Sequence, residues 1–401
     1  MTRDTDLCPH FGTCGGCASQ DVPYADQLKA KEDRVRRAVE PFAPGEFRPI
    51  LPSPDLYHYR NKMEFAFGGL KDGPVLLGLR QKGKFDRVVD LSECRLLSPE
   101  TGPLLAAVRA WAEREKLPTY HLKSHKGFLR YLVVREGKNT GQRMVHLVTA
   151  APRGRPGMSD GTATGAFSVE SFLAALRASG VRVDTVVWSV NAGLSDVAYG
   201  TDIQILSGPG FIGETLGGKP FRVSPTAFFQ SNTRGAEVLY GLIQEGLGDG
   251  DAFLDFYCGS GAIGLFCAGK NQRLIGVESN PAAVADAQEN ARLRGRADAE
   301  FHALDAGEFS ARAEWLELWS RPGTRVAMDP PRPGLGPAVK KLLLERPVER
   351  WAYVSCNPDA LAADLSVLKA AYDVTSVQAV DLFPHTPHVE TVVHLRRKRG
   401  G

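Results

Sequence analysis

The residue best suited to covalent chemistry is Cys356, set in Val354-Ser355-Cys356-Asn357-Pro358. Upstream lies a glycine loop after an apolar run, Leu254-Asp255-Phe256-Tyr257-Cys258-Gly259-Ser260-Gly261. Between the two is Met328-Asp329-Pro330-Pro331-Arg332, and beyond them Phe383-Pro384-His385-Thr386-Pro387-His388-Val389-Glu390. A nucleophile, a cofactor loop and a late carboxylate together suit covalent catalysis on a bound substrate.

These residues need a scaffold that brings them together. From about Phe253 the chain alternates strands with helices. Strands are predicted at Phe253–Tyr257, Leu274–Glu278, Val326–Asp329, Ala352–Ser355, Val374–Val380 and Thr391–Leu395, with a helix at Ala282–Arg294. This pattern predicts an α/β fold with a doubly wound, mostly parallel sheet. Ligands of such sheets bind beyond the carboxyl ends of the strands. Asp255, Glu278, Asp329 and Cys356 are all expected there.

Gly259, Gly261 and Gly264 fit G-x-G-x-x-G, and Glu278 follows Gly259 by nineteen residues. An acidic residue at that distance suits the ribose of a dinucleotide or an adenosyl cofactor. The plain alternative is that the glycines only ease strand-to-helix packing. NAD is disfavoured, because hydride transfer has no use for Asp-Pro-Pro-Arg followed by Ser-Cys-Asn-Pro. S-adenosylmethionine fits better, with Glu278 on the ribose.

A cysteine beside that cofactor has a specific use. Carbon 5 of uracil is a poor nucleophile, but thiolate addition at carbon 6 places electron density on carbon 5, which can then take a methyl group. A base must remove the carbon 5 proton before elimination frees the enzyme. Cys356 is the candidate nucleophile and Glu390 the candidate base. Asp329, stiffened by two prolines, could orient the uracil edge or assist the thiol. Gln230 could bond the base or the cofactor; otherwise it is an ordinary residue before a helix start. Cys267 reads as a packed helix face, and Cys258 is assigned no chemistry. Adenine methylation is disfavoured, since it needs no cysteine nucleophile. A uracil in folded RNA must be flipped out or presented by a loop to reach such a site.

The chain has 401 residues, room for two or three domains. Its net charge is +3, which alone does not indicate nucleic acid. Two local basic runs could invite that reading: Arg80, Lys82, Lys84, Arg87, and Lys123, His125, Lys126, Arg130. So could the C-terminal Arg396-Arg397-Lys398-Arg399, but each taken singly reads first as a solvated face or tail. No apolar run is long enough for a membrane span, and Met1–Asp6 lacks a signal-peptide core, so a cytoplasmic protein is expected. Seven cysteines in such a chain argue against a disulfide framework. Cys8, Cys14 and Cys17 cluster around two glycines, and Cys94 is the next cysteine along. Spacing leaves zinc and an iron–sulfur cluster both open. Residues 151–165, rich in Gly, Pro, Ser and Thr, read as a loop.

Taken together, the motifs resemble the RNA (uracil-5-)-methyltransferases over nearly the whole chain. The resemblance rests on Cys8-x5-Cys14-Gly15-Gly16-Cys17 with Gln20, Tyr59-Arg60-Asn61-Lys62 and Phe229-Gln230-Ser231-Asn232. It continues through Asp255-Phe256-Tyr257-Cys258-Gly259, Asp329-Pro330-Pro331-Arg332, Ser355-Cys356-Asn357-Pro358 and His385 to Glu390. It implies a Rossmann-like class I methyltransferase domain over 226–401. It also implies a β-rich, RNA-contacting domain over 46–225, a helical segment over 21–45 and an iron–sulfur segment over 1–20. It implies a [4Fe-4S] cluster on Cys8, Cys14, Cys17 and Cys94, and S-adenosylmethionine contacts at Gln230, Tyr257, Gly259, Gly261, Glu278 and Asp329. Asp305 falls where relatives place a residue near adenine, and Ala262 replaces a polar cofactor contact of some relatives. Cys356 becomes the nucleophile and Glu390 the base. Cys8 stands so early that the small N-terminal β-barrel of many relatives is not expected. RNA contact would then fall to the central region, the cysteine segment and the basic runs. The cysteine set and the C-terminal motifs resemble the 23S rRNA enzymes more than the tRNA one, so 23S rRNA is the expected partner and tRNA the alternative. An RNA-binding iron–sulfur protein without turnover is a further alternative, opposed by the intact Cys356, Glu390 and Asp329. One chain holds a full set of site residues, so a monomer is expected.

Overall fold

The computed structural model describes residues 7–69, 73–151, 167–296 and 298–399. Apart from Ala151, the loop expected at 151–165 lies outside them. The chain forms two compact units. One comprises 1–21 and 55–214, and the other 22–54 and 215–401. Among the described residues no helix is long and apolar enough to cross a membrane.

The unit of 22–54 and 215–401 is built on an eight-stranded sheet. Its strands run in the order Glu46–Leu51, Tyr372–Val380, Glu390–Arg397, Arg350–Ser355, Thr324–Met328, Ala252–Phe256, Arg273–Glu278, Glu300–Ala303. Neighbours are parallel except at Glu390–Arg397, which runs antiparallel to both of its neighbours. The central strands Ala252–Phe256 and Thr324–Met328 are almost wholly buried, as strands covered on both faces must be. Helices Thr233–Leu247, Pro281–Leu293, Pro337–Glu345 and Pro358–Leu368 alternate with the strands. Three of them start on an asparagine cap, Asn232, Asn280 and Asn357, whose side chains accept backbone N–H bonds. This is the expected α/β class.

The helix Tyr24–Val39 and the strand Glu46–Leu51 belong to this unit. The expected boundaries instead set the helix apart and gave the strand to the β-rich domain. The helix buries Gln27, Lys31, Val35 and Val39, one residue per turn on a single face. Val35 and Val39 join the main apolar core. The two polar positions bond the segment before Glu390. Lys31 Nζ pairs with Asp381 at 2.6 Å, and both side chains are buried. The same ammonium bonds the Phe383 carbonyl at 3.0 Å, and Tyr24 donates to Asp381 at 3.0 Å. Gln27 accepts from His385 N–H at 2.9 Å. Replacing Lys31 with methionine leaves the Asp381 carboxylate buried without its cation. We expect a loss of about 3–5 kcal/mol in denaturant unfolding, largely recovered in Lys31→Met/Asp381→Leu. An unchanged midpoint in the single variant would contradict this account of the helix.

The other unit carries a seven-stranded sheet in the order Val88–Asp90, Leu76–Arg80, Lys62–Gly68, Leu129–Glu136, Arg143–Thr149, Thr185–Val190, Asp202–Ser207. It is antiparallel except where Arg143–Thr149 and Thr185–Val190 run parallel, a crossover that includes the helix Val169–Ala178. This is the β-rich region expected from the sequence.

Candidate active site

Sheet register explains how residues far apart in sequence meet. Phe256 pairs with Met328, and Met328 with Tyr353, so three parallel strands end at nearly one level. Asp329 and Cys356 leave these strands at that crest. The antiparallel strand then begins where its neighbour ends, with Ser355 opposite Thr391. Glu390, one residue earlier, therefore stands beside Cys356. A parallel strand in that place would have carried its first residue to the far edge of the sheet.

Burial sets the chemistry of this group. Glu390 is 4% exposed, and its Oε2 has no hydrogen-bond partner among the described residues. Burial, with the Asp329 charge adding to it, raises the Glu390 carboxyl well above the usual range, while Arg332 opposes the rise. Asp329 is raised to about 7 by burial, although Gln230 donates to its Oδ2 at 3.2 Å. Two crowded carboxylates cannot both ionise freely, so one keeps a proton near neutral pH. Burial, with Glu390 and Asp329 adding to it, pushes the Cys356 thiol up to about 11, against Arg332. The resting nucleophile is thus a thiol that must lose its proton as it reacts. Alkylation of Cys356 by iodoacetamide should therefore climb about tenfold per pH unit from pH 7 to beyond pH 9. A plateau below about pH 8 would mean a preformed thiolate and contradict this electrostatic picture.

The loop holding Cys356 is rigid by local bonding. Asn357 N–H donates to Ser355 Oγ at 3.2 Å, and Ser355 Oγ donates to the Asn357 carbonyl at 3.0 Å. Asn357 Nδ2 donates to the Arg332 carbonyl at 3.2 Å, tying the Cys356 turn to the Asp-Pro-Pro-Arg turn.

Beside this group the glycine loop opens the helix Ala262–Cys267. Gly261 has φ of 77°, and an added Cβ would lie 3.0 Å from Phe301 and 3.1 Å from Ala287. Only glycine meets both demands. Gly259 N–H donates to Glu278 Oε2 at 3.1 Å, and Glu278 Oε1 accepts from Asn280 N–H at 2.8 Å. Tyr257 takes a left-handed φ of 62°, uncommon for a residue with a side chain, directly after the strand end. Asp255, which the sequence placed at the strand end, is fully buried within the strand and accepts from Gly264 N–H at 2.8 Å. It secures the loop from below. Asp305 caps the short helix Ala306–Ala311 through Gly307 N–H at 2.8 Å and is exposed. Close backbone turns at the strand ends and an acidic side chain on the next strand are what a nucleoside cofactor requires, so these residues fit S-adenosylmethionine. Sequence reasoning gave no role to Phe228, which is 65% exposed and lies over the glycine loop, while its neighbour Phe229 is buried. Two adjacent aromatics before a helix cap, of which only one can point inward, were the available signal.

In the other unit, Cys8, Cys14, Cys17 and Cys94 line one cavity, walled also by Leu79, Leu91 and Leu96. Gly16 N–H donates to Cys14 Sγ at 3.3 Å, and an added Gly16 Cβ would strike Leu79 at 2.9 Å. Burial raises the Cys17 thiol to about 12, with Cys94, Cys14 and Cys8 adding to the rise. Burial likewise raises Cys94 to about 11. Among the described residues no group of three or more His, Cys, Asp and Glu is spaced to hold one metal ion. Four thiols lining one cavity are a donor set that suits either zinc or an iron–sulfur cluster.

The family described as tRNA (Uracil-5-)-methyltransferase matches residues 217–398. An RNA methyltransferase of Clostridium tetani, itself uncharacterized, is 37% identical over 98% of this chain and 84% of its own length. The tRNA (uracil(54)-C(5))-methyltransferase of Pyrococcus furiosus is 33% identical over 97% of this chain and 85% of its own. The crystal structure of the Pyrococcus abyssi tRNA (uracil-54, C5)-methyltransferase with S-adenosyl-L-homocysteine is similar with a TM-score of 0.76. It is 32% identical and covers 95% of this chain and 86% of that one. This chain belongs to the RNA (uracil-5-)-methyltransferase family, enzymes that methylate carbon 5 of uridine in RNA with S-adenosylmethionine.

Proposed function

We propose that the protein methylates carbon 5 of a uridine in 23S rRNA, with Cys356 as nucleophile and Glu390 as base. The observation that carries the chemistry is the antiparallel register that sets Glu390 beside Cys356 at the strand ends. Asp329 takes the Cys356 Sγ proton as the sulfur bonds to uracil carbon 6, and the electron pair of the 5,6 double bond moves toward carbon 5 and the O4 carbonyl. S-adenosylmethionine would supply the methyl group from its sulfonium, the sulfur keeping the electron pair of the broken bond as a neutral thioether, and carbon 5 would take that methyl. Glu390 removes the carbon 5 proton, the double bond re-forms, and the bond to Cys356 breaks. The raised affinity of Glu390 for a proton suits that step. Gln230 and Asp329, bonded to one another, face the same crest and are the groups that would orient the uracil edge and the cofactor. Tyr257, Gly259, Gly261 and Glu278 would hold the cofactor, with Asp305 near the adenine.

We further propose that Cys8, Cys14, Cys17 and Cys94 hold a [4Fe-4S] cluster. Methyl transfer needs no electron, so the group would act by fixing the fold of residues 8–17. Anaerobic reconstitution with iron and sulfide should give a coloured protein in the wild type, and Cys94→Ser should lose most of the bound iron. Equal iron in both would sink the assignment.

The rRNA reading rests on the cysteine set and the C-terminal motifs. The likeness to the Pyrococcus proteins favours a second reading, tRNA. Incubation with S-adenosylmethionine and separate unmodified 23S rRNA and tRNA, followed by nucleoside mass spectrometry, decides between them. 5-Methyluridine in rRNA alone supports the first reading, and in tRNA alone the second. We also propose that the protein acts in the cytoplasm as a monomer, because one chain carries every residue named.

A further inference from the structure

The two basic runs of the sequence lie in the same unit, and the structure sorts their charges. Arg80 pairs with Asp196 at 3.1 Å, and Arg130 is 3% exposed and bonds the carbonyls of Asn191 and Gly193. Both serve the fold. Lys82, Lys84, Arg87 and Lys126 are exposed and enter no salt bridge among the described residues.

Residues 81–87 form a loop whose base is anchored. Gly15 N–H donates to the Arg80 carbonyl at 2.9 Å, and Lys82 N–H to the Thr13 carbonyl at 2.9 Å. Cys14 and Gln81 form an antiparallel bridge. Gln81 N–H donates to the Arg87 carbonyl at 2.9 Å and closes the loop. The loop thus stands on the cysteine segment. Phe85 lies on it, 67% exposed. Lys123, from the second run, pairs with Asp86 and lies 5.8 Å from the Phe85 ring centre. The Lys123–Asp86 pair therefore joins the two runs in one surface that carries Phe85, Lys82, Lys84, Arg87 and Lys123, with Lys126 three residues further along the second run. The one carboxylate within residues 81–87, Asp86, is already paired.

We propose that this loop is a docking platform for unpaired RNA. Phe85 stacks on a splayed base while Lys82, Lys84, Arg87 and Lys126 hold the phosphates on either side. An exposed ring offers little to a duplex, whose bases are already stacked, and cations offer little to an apolar partner. A flexible strand with a π-face at each base and a charge at each phosphate matches both. The proposal rests on the RNA reading above and assigns no part in methyl transfer to Phe85.

The test compares the whole protein on two labelled probes, an RNA hairpin with an unpaired loop and a blunt RNA duplex of equal stem length. Phe85→Ala should bind the hairpin about tenfold more weakly, within the range for loss of one base–aromatic stack, and bind the duplex unchanged. Phe85→Trp should restore hairpin binding, which also excludes misfolding as the cause. Lys84→Ala/Arg87→Ala should weaken both probes and reduce the salt slope of binding by about 0.7 per cation on unpaired RNA. Wild-type affinity of Phe85→Ala for the hairpin, or an equal loss on both probes, would overturn the proposal. The same preparations are assayed for 5-methyluridine. Wild-type protein that binds the hairpin through Phe85 yet methylates no RNA would refute the enzymatic reading and leave the platform standing.

Discussion

Cys356→Ala is expected to abolish methyl transfer while RNA binding persists. No other described residue of the crest can form a bond to uracil carbon 6 in its place: Asp329 and Glu390 are weak nucleophiles, and Cys258 is buried with its thiol raised further by burial. Without the adduct, carbon 5 has no electron density to attack a methyl group. Losing a covalent nucleophile costs about 10⁴-fold or more in turnover. The side chain is only partly buried, so the fold should tolerate alanine. Substantial activity in this variant, with contaminating wild type excluded by peptide mapping, would refute the mechanism.

Glu390→Gln separates the first half of the reaction from the second. The amide keeps the size of the side chain and removes its ability to take a proton. Adduct formation and methyl transfer need the thiol and the cofactor, while release needs the carbon 5 proton to leave. The variant should therefore accumulate protein covalently bound to methylated RNA, with turnover down about 10²- to 10⁴-fold. Removing the carboxylate charge also removes part of the electrostatic load on Cys356, so the first adduct should form no more slowly than in the wild type. Normal turnover, or slow turnover with no trapped RNA, would reassign the base.

Much of the site was legible because its residues sit in local motifs. Each of Gly259, Gly261, Asp329 and Cys356 follows an apolar strand, and that alone predicts a shared crest. The position of Glu390 beside Cys356 was not legible in the same way. It depends on a strand running against its neighbours, and apolar runs such as Thr391–Leu395 carry no sign of direction. The helix Tyr24–Val39 was recognised, but its home was not. Its buried face includes Gln27 and Lys31, which a search for apolar periodicity passes over, and their partners lie some 350 positions away at Asp381 and His385. The strand Glu300–Ala303 escaped notice because it is a short edge strand, half exposed, with two polar residues in four. Arg80 and Arg130 looked like surface charge, since sequence does not reveal the carboxylate and carbonyls that bind them.

The most direct test of the central claim uses RNA in which 5-fluorouridine replaces uridine, with S-adenosylmethionine present. Fluorine on carbon 5 cannot be removed as a proton, so Glu390 cannot complete the elimination. The reaction should stop as a stable complex of protein with methylated RNA, and peptide mass spectrometry should find the pyrimidine on Cys356. Covalent RNA on another residue, or methylated 5-fluorouridine released without any complex, would contradict the account.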